Sequence, residues 1–388
     1  MIQQVHPTHK IILVVTVLLL LLSSCGNDDG NNRNQTTEEA LAALPSEVMH
    51  PNTNPYSDEK KELGRLLFWD PVLSGTKDVA CVTCHHPDFG YADGLEFSIG
   101  VGATGLGPDR LGGLRATRNA PTIINSAFNG IDENGSYDPE VAPMFWDNRA
   151  HGLEEQALLP MLSKEEMRGE LISEEAIMDT ILKRLNAIPE YRTLFEEAFG
   201  TTTIIESTLA EAIATFERSL IANNSPFDEY MRGNENALNN EQIRGMNAFI
   251  RVGCADCHKG SMLSDYELHT IGVQENGFLT DSGATENFDF RTPTLRNLRF
   301  TAPYMHNGLH RTLRDVLNFY EEIADEDDDE LNENLHFNQL DDEMQDLRLD
   351  DDQIDAIIAF LHSLNDDDFD RKVPNDIPSG LAVGGSIK

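Results

Sequence analysis

Cys81-Val82-Thr83-Cys84-His85 and Cys254-Ala255-Asp256-Cys257-His258 are the two stretches on which the reading of this chain turns. Each is a C-x-x-C-H. Two thiols one helical turn apart can add to the two vinyl groups of a haem, and the histidine that follows lies under the iron as its proximal ligand. The chain has five cysteines, so only one is left over. One structural zinc held by both pairs would bring them close together in sequence, and they lie far apart. A thioredoxin-like C-x-x-C needs a βαβ context, which is missing. The expectation is two covalent c-type haems, attached through Cys81, Cys84, Cys254 and Cys257 and ligated by His85 and His258.

The N-terminus fits export. His9-Lys10 precede residues 11–22, apolar apart from Thr16. That run is too short to span a bilayer and suits the core of a signal peptide. It ends at Leu22-Ser23-Ser24-Cys25, which resembles a bacterial lipobox. Residues 1–24 are therefore expected to be a lipoprotein signal peptide and Cys25 the lipidated first residue of the mature chain. The alternative is an ordinary signal peptide with a free cysteine. Covalent haem is attached outside the cytoplasm, so the expected location is the periplasm or cell envelope of a bacterium, lipid-anchored. Residues 25–50 read as a flexible tether, rich at first in Asn, Asp and Gly.

A formal net charge of −38 argues against nucleic acid and against charge-driven binding to anionic lipid. The densest acidic run, 325–330, reads as a solvated loop or as a surface that steers a basic electron donor. Strand signals are few. Apolar residues recur with helical spacing over 59–68, 153–162, 174–185, 204–220, 241–252, 313–323 and 352–364, with starts marked by Ser57, Ser163 and Asn240. The fold class is mainly α, with two cytochrome c-like domains, each carrying one covalent c-type haem. The N-terminal haem domain spans 51–225, the C-terminal one 226–370, and 371–388 form a tail. The two blocks share the attachment motif but little other similarity.

Between and after the haem motifs stand Arg118-Asn119-Ala120-Pro121-Thr122, Phe145-Trp146-Asp147-Asn148-Arg149-Ala150, Arg291-Thr292-Pro293-Thr294-Leu295-Arg296-Asn297 and Thr301-Ala302-Pro303-Tyr304-Met305-His306. On these segments the chain resembles the bacterial dihaem cytochrome c peroxidases, including their MauG-like branch, over about residues 63–364. The resemblance implies that the first haem is the peroxidatic one and the second relays electrons. It implies that Glu166, twenty residues after Trp146, is the acid–base group. Gln156 then lines the pocket and Trp146 lies between the haems. It also implies a calcium ion held by Asn119 and the carbonyls of Thr301 and Pro303. Arg291 and Arg296 could pair with haem propionates, since guanidinium matches carboxylate geometry; surface arginines are the alternative. Trp69 reads as core.

Two departures from the family pattern stand out. The standard peroxidases place an iron-capping histidine sixteen residues after the first proximal histidine; that position is Val101, and no histidine lies between His86 and His151. The standard distal methionine of the second haem falls at Tyr320, as in MauG-like members. Tyr320 is thus the expected distal ligand, with Met305 and Met344 as fallback thioethers.

The resulting expectation is an enzyme, a dihaem peroxidase that reduces hydrogen peroxide with electrons from an external donor such as a small cytochrome or a cupredoxin. A MauG-like oxidase acting on a protein or small molecule, and a non-enzymatic dihaem carrier, remain as alternatives. A homodimer is left open.

Overall fold

The computed structural model describes residues 40–277, 280–325, 330–332, 335–345 and 347–388. The expected leader, Cys25 and the first part of the tether lie outside the described residues, as do residues 326–329 of the acidic run. No helix among the described residues is long and apolar enough to cross a membrane.

The chain is largely helical. Helix α1 (Asp58–Trp69) begins where Ser57 Oγ accepts the Lys60 amide at 3.2 Å, with Asp58 and Glu59 in the first turn complementing the helix dipole. The helix expected over 153–162 is split into α2 (Gly152–Gln156) and α3 (Leu159–Leu162), because Pro160 has no amide to continue the ladder. Next come α4 (Glu174–Ala187), α5 (Pro189–Phe199) and α6 (Glu206–Arg218). Helix α5 was not anticipated, although Pro189 opens it and left-handed Gly200 closes it. The second half carries α7 (Pro226–Met231), α8 (Asn240–Arg251), α9 (Cys254–Cys257), α10 (Leu313–Asp325), α11 (Asp342–Gln345) and α12 (Asp351–His362). The cap of α8 is Asn239, not the expected Asn240; its side chain accepts from the Glu241 and Gln242 amides. Among the described residues, strands are only two or three residues long and pair antiparallel.

Two helix crossings organise the cores, and they are built alike. Helix α1 meets α6 at Gly64, where a Cβ would lie 2.0 Å from the Ala212 carbonyl oxygen. Helix α8 meets α12 at Gly245, where a Cβ would lie 1.8 Å from the Ala356 oxygen. Only glycine permits either approach. Four residues on, Phe68 packs on Phe216 at a 5.1 Å centroid distance, and Phe249 on Phe360 at 5.4 Å. Each pair thus joins G-x-x-x-F to A-x-x-x-F-x-x-S-L. A third shared element is P-T-x-x-N at 121–125 and 293–297. Asn125 and Asn297 both adopt left-handed φ, 64° and 62°, and their amides donate to Leu220 and Leu364. The halves therefore share a repeat well beyond the attachment motif, which corrects the expectation of little other similarity. The stretch between P-T-x-x-N and the A-x-x-x-F helix is longer in the first half, 126–211 against 298–355, which hides it.

Cys81 packs against the cluster that holds Phe68, Trp69, Val82 and Phe216, and Cys254 against the one that holds Phe249, Ala255, Ile357 and Phe360. The terminal segments cross over. Residues 40–44, expected in the tether, are packed on the second half: the Gly260 amide donates to Ala40 O at 2.8 Å, and Leu44 N to Asp228 Oδ1 at 2.9 Å. The expected tail is a strap on the first half. Gly384 N donates to Trp69 O at 2.8 Å, Ser386 N to Asp78 O at 2.9 Å, and Ser379 Oγ to Asp70 Oδ1 at 2.7 Å.

Candidate functional site

Both motif histidines are held in the tautomer an iron ligand needs. His85 Nδ1 lies 3.0 Å from the Tyr91 carbonyl and His258 Nδ1 2.9 Å from the Leu263 carbonyl. A ring nitrogen that donates to a carbonyl leaves Nε2 as the free lone pair. Burial lowers the pKa of both rings, with the Tyr91 and Leu263 carbonyls opposing, so both favour the neutral, ligating form.

Around the second motif lies a cavity of about 220 Å³. Cys254, Cys257 and His258 form one side of it; Trp146, Arg291, Tyr320, Met305 and Met344 also line it. Two thiols outside any disulfide, an imidazole with Nε2 available and a guanidinium fit a covalent haem with a propionate partner. Arg291 is fixed by Nε donating to Phe145 O at 2.8 Å and by its amide donating to Trp146 O at 2.7 Å. Burial raises the pKa of the Tyr320 phenol, with Cys254 and Cys257 adding to the rise. All three expected distal ligands for this haem thus share the cavity wall. Arg296 does not. Its guanidinium is 1% exposed and pairs with buried Asp228 at 2.8 Å, with Nε on Ser261 O. It is a structural ion pair, not a propionate partner and not a surface arginine.

Trp146 donates through Nε1 to the Asn119 carbonyl at 2.9 Å. The Asn119 amide reaches Pro303 O at 3.5 Å and Leu95 O at 2.6 Å, and Thr301 and Pro303 line the same cavity. Oxygens converging on Asn119 suit a hard cation; Leu95 O is a candidate ligand not foreseen in the sequence.

At the first motif, Glu166 sits in a single π-helical turn, Lys164–Arg168. Burial raises its carboxyl pKa and Glu165 adds to the rise, against Arg149 and Ser163. Its charge acts in turn on the Cys84 thiol, whose pKa is raised by burial first, then by Asp93 and Glu166. The Glu166 carboxyl is therefore an electrostatic neighbour of the first attachment site. Val101, where a capping histidine would stand, is buried among apolar side chains including Met161 and Met167. Its amide donates to Glu166 O at 3.2 Å. A Cβ at Gly100 would fall 2.0 Å from Glu165 O, so the loop lies against the glutamate turn. Arg110, 2% exposed, clamps the loop: Nε donates to Ile99 O at 2.6 Å and the two terminal nitrogens to Gly105 O and Gly100 O at 2.9 and 2.8 Å. Sequence reading missed Arg110. Gln156 is half-buried at the end of α2. Trp69, 2% exposed, is core as expected.

A family model described as di-haem cytochrome c peroxidase matches residues 58–236. Methylamine utilization protein MauG of Methylorubrum extorquens is 35% identical over 297 residues, 73% of this chain and 76% of that protein. Cytochrome c551 peroxidase of Nitrosomonas europaea is 31% identical over 335 residues, 84% of this chain and 85% of that one. Among solved structures, a MauG-like protein associated with microbial copper homeostasis superposes with a TM-score of 0.68 at 28% identity, covering 83% of this chain and 95% of that one. On these matches the chain belongs to the di-haem cytochrome c peroxidase family and is an oxidoreductase.

Proposed function

We propose that the protein reduces hydrogen peroxide to water, drawing two electrons from an external donor such as a small cytochrome or cupredoxin. Cys81, Cys84 and His85 hold the haem that meets peroxide; Cys254, Cys257, His258 and Tyr320 hold the one that relays electrons. Each belongs to its own cytochrome c-like domain. The haem irons supply the redox chemistry. Each peroxide takes two electrons and two protons and gives two waters, so a proton carrier at the peroxide site is indispensable.

Glu166 carries this reading. A buried carboxyl with a raised pKa, electrostatically coupled to the first attachment site, can take a proton from peroxide and return it to the leaving oxygen. A pure electron carrier has no use for such a group. Gln156 orients peroxide, Trp146 lies between the haems, and Arg291 binds a propionate. Calcium at Asn119, Thr301 and Pro303 holds the region around Trp146. The mature chain is a lipoprotein of the bacterial cell envelope, anchored at Cys25.

A MauG-like oxidase is the second reading, and Tyr320 in the second cavity favours it. Steady-state peroxide consumption with several reduced donors, alongside spectra of both haems, separates the two. Fast donor-dependent turnover supports the peroxidase; negligible turnover with every donor, despite two intact haems, rejects it.

A further inference from the structure

The repeat that relates the two halves assigns a partner to every position of the helix that covers each attachment site. Phe216 corresponds to Phe360, Ser219 to Ser363 and Leu220 to Leu364. The local hydrogen bonds match as well: Ser219 Oγ donates to Phe216 O at 2.7 Å and Ser363 Oγ to Phe360 O at 2.6 Å. Between them, Leu361 corresponds to Glu217. Leu361 is 5% exposed and lines the cavity over Cys254, Cys257 and His258. Glu217 is also 5% exposed. The first half thus has an acid where the second half offers a leucine to its haem.

Three observations agree with this placement. Glu217 acts electrostatically on the Cys81 thiol, second only to burial in raising that thiol's pKa. Its Oε2 is buried without a hydrogen-bond partner. The adjacent cation does not pair with it, because the Arg218 guanidinium is held by Glu154 through two bonds of 3.0 and 2.8 Å. From α1, Arg65 stacks on the neighbouring Phe216 ring and pairs with Asp370. A buried carboxyl with an unpartnered oxygen is costly in its charged form, which favours its binding a proton.

We propose that Glu217 is a redox-linked proton site of the first haem, taking up one proton from solvent when that iron gains an electron and releasing it when the iron is oxidised. This rests on the reading that the first motif carries a covalent haem. The step balances: the donor, through the second haem, supplies one electron to ferric iron, and solvent supplies one proton to the carboxylate. The ferric centre holds a positive charge that the carboxylate neutralises. Reduction removes that charge, and the isolated carboxylate then binds a proton. In the chain without haem, burial pushes the Glu217 carboxyl up to about 8, with Arg218 opposing and Glu154 reinforcing. The ferric charge lowers this value, so the coupled window extends downward from about pH 8.

The test is a spectroscopic redox titration of the dihaem protein as a function of pH, with intact mass reporting haem number. In the wild-type protein the first-haem potential falls as pH rises through the window, approaching the limiting slope of about 59 mV per tenfold change in proton concentration. Glu217→Gln raises that potential at the alkaline end and flattens the slope, and it leaves the second haem unmoved. Glu217→Asp keeps a slope. Redox-difference infrared spectra of wild-type protein gain a protonated carboxyl band on reduction of the first haem, and Glu217→Asp shifts it. A wild-type slope that survives Glu217→Gln, equal shifts at both haems, or no carboxyl band in the wild-type protein overturns the proposal. Fewer than two haems by mass overturns the underlying reading together with it.

Discussion

The Val101 amide donates to the Glu166 carbonyl across 3.2 Å, tying the position of the absent capping histidine to the turn that carries the proposed acid–base group. The loop that would deliver a cap lies against the backbone of that turn. Its side chain at 101 is apolar and buried, and its backbone is held by Arg110 and by the close approach of Gly100.

An open first haem at rest follows. The oxidised protein should show one high-spin ferric haem and react with peroxide without prior reduction. Two low-spin resting haems, or a lag removed only by pre-reduction, would show that another group caps the iron.

Replacing Glu166 by Gln should lower peroxide turnover by about 10²–10⁴-fold while both haems remain by mass. The pH profile gives a second readout. Burial raises the Glu166 pKa, so the base form is lost as pH falls through a value above that of an ordinary glutamate, and turnover falls with it. Glu166→Gln should abolish that limb. Unchanged turnover removes Glu166 from the mechanism.

Arg110→Met should orphan the carbonyls of Ile99, Gly100 and Gly105. Unsatisfied buried groups cost about 1–3 kcal/mol each, so the loss is on the order of 3 kcal/mol after relaxation. Denaturant titration of the holoprotein measures it. A stability equal to wild type refutes the clamp.

Tyr320→Phe should change the spectrum of the second haem and leave the first untouched, whereas Met305→Leu and Met344→Leu should be silent. The opposite pattern assigns the second iron to a thioether and moves the protein away from the MauG-like branch.

Gly64→Ala and Gly245→Ala should each destabilise the fold by roughly 1–3 kcal/mol, the usual cost of overpacking, because the added Cβ meets backbone rather than a side chain that can swing away. Equal effects in chemical denaturation would show that both crossings bear the same constraint; a neutral result at either site removes it from the repeat.

Much of this was legible from residues alone. The attachment motifs announce themselves because covalent chemistry fixes their spacing, and all seven periodic stretches fall on helices, one of them split in two. Arg296 misled because its sequence neighbours said nothing of Asp228, sixty-eight positions away and paired with it in the core. Arg110 and Glu217 were missed for the same reason: one is defined by the carbonyls it holds, the other by the leucine that replaces it in the opposite half. The repeat itself was hidden because its shared positions are few and the stretch between them is longer in one copy, 126–211 against 298–355.

The crossed terminal segments set an order of assembly. Residues 40–44 are made before either half yet dock on the half made last, and residues 371–388 dock on the half made first. The first half thus lacks its strap until the entire second half has been translated. Through that interval the segment leading to Cys81 lacks the bond from the Ser386 amide to Asp78 O. The strap closes afterwards, as a latch on a finished product.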